Sequence, residues 1–134
     1  MDIVNFVYVV WSYIKNFPLE LKWDYQNFVR GYSDRDVWNL SSFVLNKVRA
    51  PLKEFVQHQA EEGMILPNEF ATDPAAWLEI LQKIEFSIDH AWKEENELDY
   101  NPIRNMGIEE KEEFYKKVDE GFLLFGKYLR DLWD

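Results

Sequence analysis

The chain has 134 residues, of which 47% are hydrophobic and 17% aromatic. That is the length of one domain with enough apolar mass for a core of its own, which excludes a disordered chain. A net charge of −10 and a pI near 4.7 make duplex nucleic acid a poor partner for the surface as a whole. The absence of Cys excludes disulfides, thiolate chemistry and cysteine-ligated metal.

The first element predicted is a helix over Ile3 to Asn16. Ile3, Val7, Val10, Trp11 and Ile14 form its apolar face, although the valines by type also suit a strand. The segment begins with an acid rather than a basic region and has no small-residue cleavage site, so it does not read as a targeting signal. At this length, interrupted by Asn5 and Ser12, it is too short for a membrane span. Residues 1–17 are therefore expected to be a packed or partner-facing helix that serves oligomerisation, with residues 18–134 as the helical domain. Pro18 is expected to end the first helix, and 17–32 to be an irregular connector turning at Gly31.

Ser33 starts a long second helix. Asp36 three residues on makes a capping-box pair, and Asp34 and Asp36 sit where the positive helix end favours acids. Val37, Leu40, Val44, Val48, Leu52 and Phe55 give its stripe. It is expected to run to about Ala60, stop at Gly63, and kink at Pro51, which removes a backbone bond and clashes with the carbonyl of Lys47. Asp73 then caps a third helix with Pro74 at its first position. Its stripe is Trp77, Ile80, Leu81, Ile84, Ile88, Ala91 and Trp92, ending near Asn96. A last helix is expected from Ile108 to the chain end, with Phe114, Tyr115, Val118, Phe122, Phe125, Leu129 and Leu132 on one face. Gly121 and Gly126 inside it weaken it unless they admit a close neighbour. The architecture expected is all-α: a single-domain bundle of about four helices with a Pro-kinked long second helix.

Charge divides unevenly along the chain. Up to Leu66 there are eight acids and seven bases; from Pro67 onward there are seventeen acids and eight bases. The first half can serve an anionic ligand locally. The second suits solubility, or imitation of nucleic acid.

The stretch "RGYSDRDVWNL" (30–40) and the terminus "EGFLLFGKYLRDLWD" (120–134) resemble a family of small tailed-phage proteins. That family is similar in a Gly-aromatic-Ser/Asp-Asp-x-Asp-x-Trp-x-Leu stretch, a helix with an internal Pro (here "VRAPLKEF"), a Trp-started helix (here "AWLEILQKIEFS") and a Leu-Trp-Asp close. The resemblance runs from about Val29 to Asp134 and leaves the first seventeen residues unmatched. The family is uncharacterised. The resemblance implies a phage or prophage origin and expression in the host bacterial cytoplasm, and no activity.

The same stretch carries the candidate site. Its plain reading is a capped helix start, which accounts for Ser33, Asp34, Asp36 and a core Trp38. It leaves Arg30, Tyr32 and Arg35 unexplained. Tyr32 and Trp38 offer flat faces to a base, and Arg30 and Arg35 suit phosphate. Asp34 suits ribose hydroxyls or a base edge. Lys127 and Tyr128 of the last helix are added to this ligand-binding set, although cations there also complement the helix dipole. A metal site from Glu85, Asp89, His90 and Glu94 is weighed and set aside, because one helix supplies the whole pattern. No cofactor is expected. No Gly-x-Ser-x-Gly, triad context or Gly-rich phosphate loop occurs, so an enzyme is not the expectation. The functional expectation is a phage accessory, anti-defence protein that sequesters a nucleotide-like signalling ligand, as a homo-oligomer. The alternative is an acidic inhibitor or nucleic-acid mimic directed at a host protein. Residue types do not decide whether Asp34 and Asp36 are caps or ligand contacts.

Overall fold

The structure is a computed structural model and describes residues 2–62 and 66–133. Among the described residues it is α-helical with no strand, so the all-α expectation holds. Five helices follow in order: α1 (Ile3–Arg30), α2 (Asp34–Trp38), α3 (Leu40–Glu62), α4 (Pro74–Asn96) and α5 (Ile108–Tyr128). Single 3-10 turns cover Asn68–Phe70 and Leu129–Asp131. The chain divides into two compact units, residues 1–43 and 44–134.

In the first unit, Pro18 does not end the helix. α1 continues through it for a total of 28 residues, so the expected boundary at 17/18 falls inside one continuous helix. A mid-helix proline costs about 3 kcal/mol or more. The helix passes it because Glu20, Leu21, Lys22 and Gln26 are good helix formers and because the segment beyond it holds α2, as described below. Gly31 ends α1 in the left-handed conformation (φ 81°), and its N–H donates to the Asn27 carbonyl at 2.9 Å. A glycine takes that conformation without the steric cost of a Cβ.

The predicted second helix is broken as well. Asn39 leaves the helical region (φ −129°, ψ 60°), and its N–H closes α2 on the Arg35 carbonyl. Its own carbonyl accepts from Phe43 N at 3.2 Å and opens α3. Asn39, Ser41 and Ser42 are residues whose side chains compete with the backbone for hydrogen bonds, which makes this the weak point of the run. Pro51 lies inside α3 as expected. The stop expected at Gly63 lies outside the described residues.

The second unit is built around α4. Trp77, Leu81 and Ile84 are 0% exposed and Ile88 is 2% exposed. They pack with Leu45, Leu52 and Val56 of α3 and with Tyr128. Full burial of each such side chain contributes about 1.5–3 kcal/mol. Asp73 accepts from Ala76 N at 3.1 Å and Pro74 opens the helix, as the sequence requires. α5 runs antiparallel to α4. Lys83 bridges to Glu120 at 3.1 Å, and the buried Ser87 Oγ donates to the Val118 carbonyl at 2.7 Å. α5 gives way to a 3-10 turn after Tyr128, and the expected continuation through Asp134 reaches a residue outside those described. Its predicted face is buried only in part: Val118 lies inside, whereas Tyr115, Phe122 and Leu129 are exposed.

Candidate functional site

The stretch from Arg30 to Leu40 is the turn joining α1 to α3, and its chemistry closes largely on itself. Ser33 is fully buried. Its N–H and hydroxyl both donate to Asp36 Oδ2, at 2.7 and 2.9 Å, while Asp36 N donates to Ser33 Oγ at 3.4 Å. This is the capping box expected from the sequence, with Asp in the Glu position.

Asp34 is the hub. Gln26 of α1 meets it twice, donating from Nε2 to Oδ2 (2.9 Å) and accepting the Asp34 backbone N–H on Oε1 (2.8 Å). Arg30 Nη2 donates to Oδ1 at 2.6 Å, and Lys22 Nζ lies 3.3 Å from Oδ2. Bonds from Gln26, then Arg30, then Lys22 hold the Asp34 carboxyl down to about 2, from an ordinary 3.8. Arg30 also donates from Nε to the Tyr32 carbonyl (3.0 Å) and lies over the Tyr32 ring at 4.5 Å. Arg35 lies over the Trp23 ring at 4.7 Å and 3.9 Å from Glu20.

The structure thus brings Arg30, Tyr32, Asp34 and Arg35 together, but by pairing them with α1. Lys22, Trp23, Gln26 and Glu20 are the residues that sequence reasoning missed. Their spacing along one helical face was the available signal, hidden by reading Pro18 as a stop.

Trp38 is a correction of a different kind. It does not enter a core: it is 74% exposed, beside Val37 and Leu40 at 60% each. Asn39 separates α2 from α3, and the apolar residues on both sides of it, Val37, Trp38 and Leu40, are exposed. Tyr32 is also exposed. α2 therefore presents aromatic and aliphatic surface on a short helix fixed by its cap.

Lys127 and Tyr128 belong to the second unit. Tyr128 is buried in an aromatic cluster with Phe70 (5.7 Å between ring centroids) and Trp77 (5.4 Å), and its hydroxyl donates to Glu69 Oε2 at 3.0 Å. Lys127 lies over the Tyr128 ring at 5.0 Å, and the bond to Tyr128 raises its pKa. Tyr128 is thus a core residue with a satisfied hydroxyl.

The acidic face of α4 has its own arrangement. Asp89 receives Arg49 (2.8 Å) and Lys93 (2.9 Å). Burial works to raise its pKa, but those two bonds outweigh it and hold the group below its ordinary value. Arg49 stacks 3.8 Å above Trp92, whose Nε1 donates to Asn46 at 2.9 Å. His90 is buried, with Nδ1 2.8 Å from the Tyr100 hydroxyl and its ring edge-on to Phe114 at 5.0 Å. Burial raises the pKa of Glu85. Among the described residues no three His, Asp or Glu groups converge as metal ligands.

Open grooves of about 800 Å³ run along α5, one of them lined by Ile108, Lys111, Tyr115, Lys116, Asp119 and Leu123. Among the described residues, no helix is long and apolar enough to cross a membrane. No protein-family model matches the chain, and no curated protein or solved structure matches it.

Proposed function

We propose that this is a phage accessory protein that acts by binding, in the host bacterial cytoplasm, and that its α2 surface docks on a host protein. One observation carries the reading: Trp38 stands 74% exposed on a five-residue helix that a capping box and the Asp34 hub hold in place. An exposed Trp flanked by Val37, Leu40 and Tyr32 on a fixed support is the kind of anchor that dominates protein interfaces. Anti-defence action by occupying a host protein is consistent with that surface and with the acidic second half of the chain.

Sequestration of a nucleotide-like signalling ligand by Arg30, Tyr32, Asp34, Arg35 and Trp38 is the second reading, favoured by the open faces of Tyr32 and Trp38. The internal pairing of both arginines argues against it. The amide that such a ligand would use at the start of α2 is also taken, since Asp34 N–H donates to Gln26.

The two readings separate in one experiment. The tagged protein, Trp38→Ala and Arg30→Ala are purified from bacteria and examined by native mass spectrometry, with denaturing release of bound species. A polypeptide retained by the parent and by Arg30→Ala but lost in Trp38→Ala supports docking. A nucleotide-sized mass lost in both variants supports sequestration. Identical bound species in all three would sink both readings.

A further inference from the structure

α1 carries a heptad pattern that its own fold does not use. Ile3, Val7, Val10, Ile14, Phe17 and Leu21 follow the alternating four-three spacing of a coiled-coil seam, and the next seam positions are Asp24 and Phe28. All six of the first set are exposed, from 39% at Val10 to 78% at Ile3. Val4 (71%), Phe6 (58%) and Trp11 (58%) flank the seam and widen it. The side away from the seam carries the polar Asn5 and Ser12, together with the exposed Tyr8 (75%) and Val9 (50%).

The fold of the first unit leaves this seam free. The residues by which α1 holds α2 are Glu20, Lys22, Trp23, Gln26 and Arg30. At about 100° per residue they centre on a line roughly 180° around the helix from the seam. The C-terminal part of one face of α1 is spent on the turn, and the seam on the other side is apolar and open.

We propose that this face pairs α1 with α1 of a second copy, antiparallel, about a two-fold axis near Ser12. The register follows from the side chains. In that arrangement Ile3 layers against Leu21 of the second copy, Val7 against Phe17, and Val10 against Ile14. Trp11 meets Trp11 of the second copy beside the seam. Every layer is apolar, and Asp24 lies clear of the Ile3–Leu21 overlap. A parallel pairing in register instead sets Asp24 against Asp24 of the second copy within the seam, two carboxylates with no cation between them.

The area suffices. Nine exposed apolar side chains at roughly 90 Å² each offer the ~800 Å² per partner of a standard interface. The overlap is about 28 Å long at ~1.5 Å per residue. The pairing is distinct from the proposed docking by α2, which uses the other side of α1, so a dimer presents two copies of that surface.

The test uses the full chain. Sedimentation equilibrium gives the mass, and spin labels on Asn5→Cys and, separately, Ser12→Cys give the distances between copies. Both labels sit opposite the seam, and the absence of native cysteine makes each label unique. The expected result is a dimer in which Ser12 labels lie at the same height, while Asn5 labels are displaced by a further ~21 Å along the axis. Ile14→Asp is expected to weaken dimerisation at least ~100-fold by burying a charge in the seam, and Ser12→Asp to leave it unchanged. Four results overturn the proposal: a monomer at ~100 µM, an Asn5 distance equal to that of Ser12, Ile14→Asp dimerising like the parent, or a monomer that instead floats with zwitterionic phosphatidylcholine vesicles.

Discussion

Gly121 sits on α5 where that helix crosses Ser87 of α4, and Gly121→Ala tests whether the contact is as close as the structure has it. A Cβ built there would overlap the Ser87 hydroxyl and the Lys83 carbonyl oxygen, and would come within 2.6 Å of Ser87 Cβ. Ser87 can rotate, but it would give up its bond to the Val118 carbonyl, worth about 1 kcal/mol. The Lys83 carbonyl belongs to the α4 backbone and cannot rotate away, so the two helices must separate. Overpacking of this kind costs about 1–3 kcal/mol. Ala gains up to ~1 kcal/mol over Gly in a helix interior, which offsets only part of that. The net expectation is destabilisation by about 1–3 kcal/mol, or a Tm lower by roughly 4–12 °C at this chain length. Urea unfolding followed by circular dichroism measures it. Gly126→Ala is the internal control: nothing lies within 4 Å of its Cβ position, so it should gain up to ~1 kcal/mol. If Gly121→Ala proves as stable as Gly126→Ala, the close α4–α5 approach is wrong.

The Asp34 hub should titrate. Its folded-state pKa lies near 2 against an ordinary 3.8, so its stabilisation is complete above pH 3.8 and is lost as pH falls through 2. Carboxyl NMR should place that titration near 2, and Asp34→Asn should remove this part of the acid dependence; a shift back toward 3.8 in Gln26→Ala would confirm the cause. Leu81→Ala, at a site that is 0% exposed, should cost about 2–5 kcal/mol by urea unfolding, and a loss below 1 kcal/mol would contradict the core described. Tyr128→Phe should cost about 1 kcal/mol through the lost bond to Glu69, with no change in the near-ultraviolet signature of the ring cluster. Pro18→Ala should raise helicity at 222 nm and stabilise α1 by up to ~3 kcal/mol, whereas a loss of helicity would mean the proline is needed where it stands.

How far the sequence could be read depends on where each apolar pattern is used. In the second unit, pattern and burial agree. Trp77, Leu81, Ile84 and Ile88 were legible as a stripe because α3 and α5 cover them, and Asp73-Pro74 marked the start because the cap and the missing N–H act locally. Gly121 was legible as a weak point with a purpose, while its partner Ser87 was not, because nothing in a sequence says which turn of a neighbouring helix comes closest. In the first unit the same rules misled. Pro18 looked like a stop because its local cost is large, yet α1 runs through it, and the contacts of Trp23, Gln26 and Arg30 with residues 32–35 that fix the helix beyond it lie further along the chain. Trp38 looked like core as the large apolar residue of a capped helix start, but Asn39 leaves the helical angles and separates α2 from α3, and Trp38 stands exposed along with Val37 and Leu40 of the expected stripe. The stripe on α1 was read correctly as apolar and helical; what no period can state is which surface covers it. A stripe whose holding face is already occupied on the opposite side of the helix has no remaining use within the first unit. That juxtaposition of a spent face with an open one is the physical reason to look for its cover in a second copy.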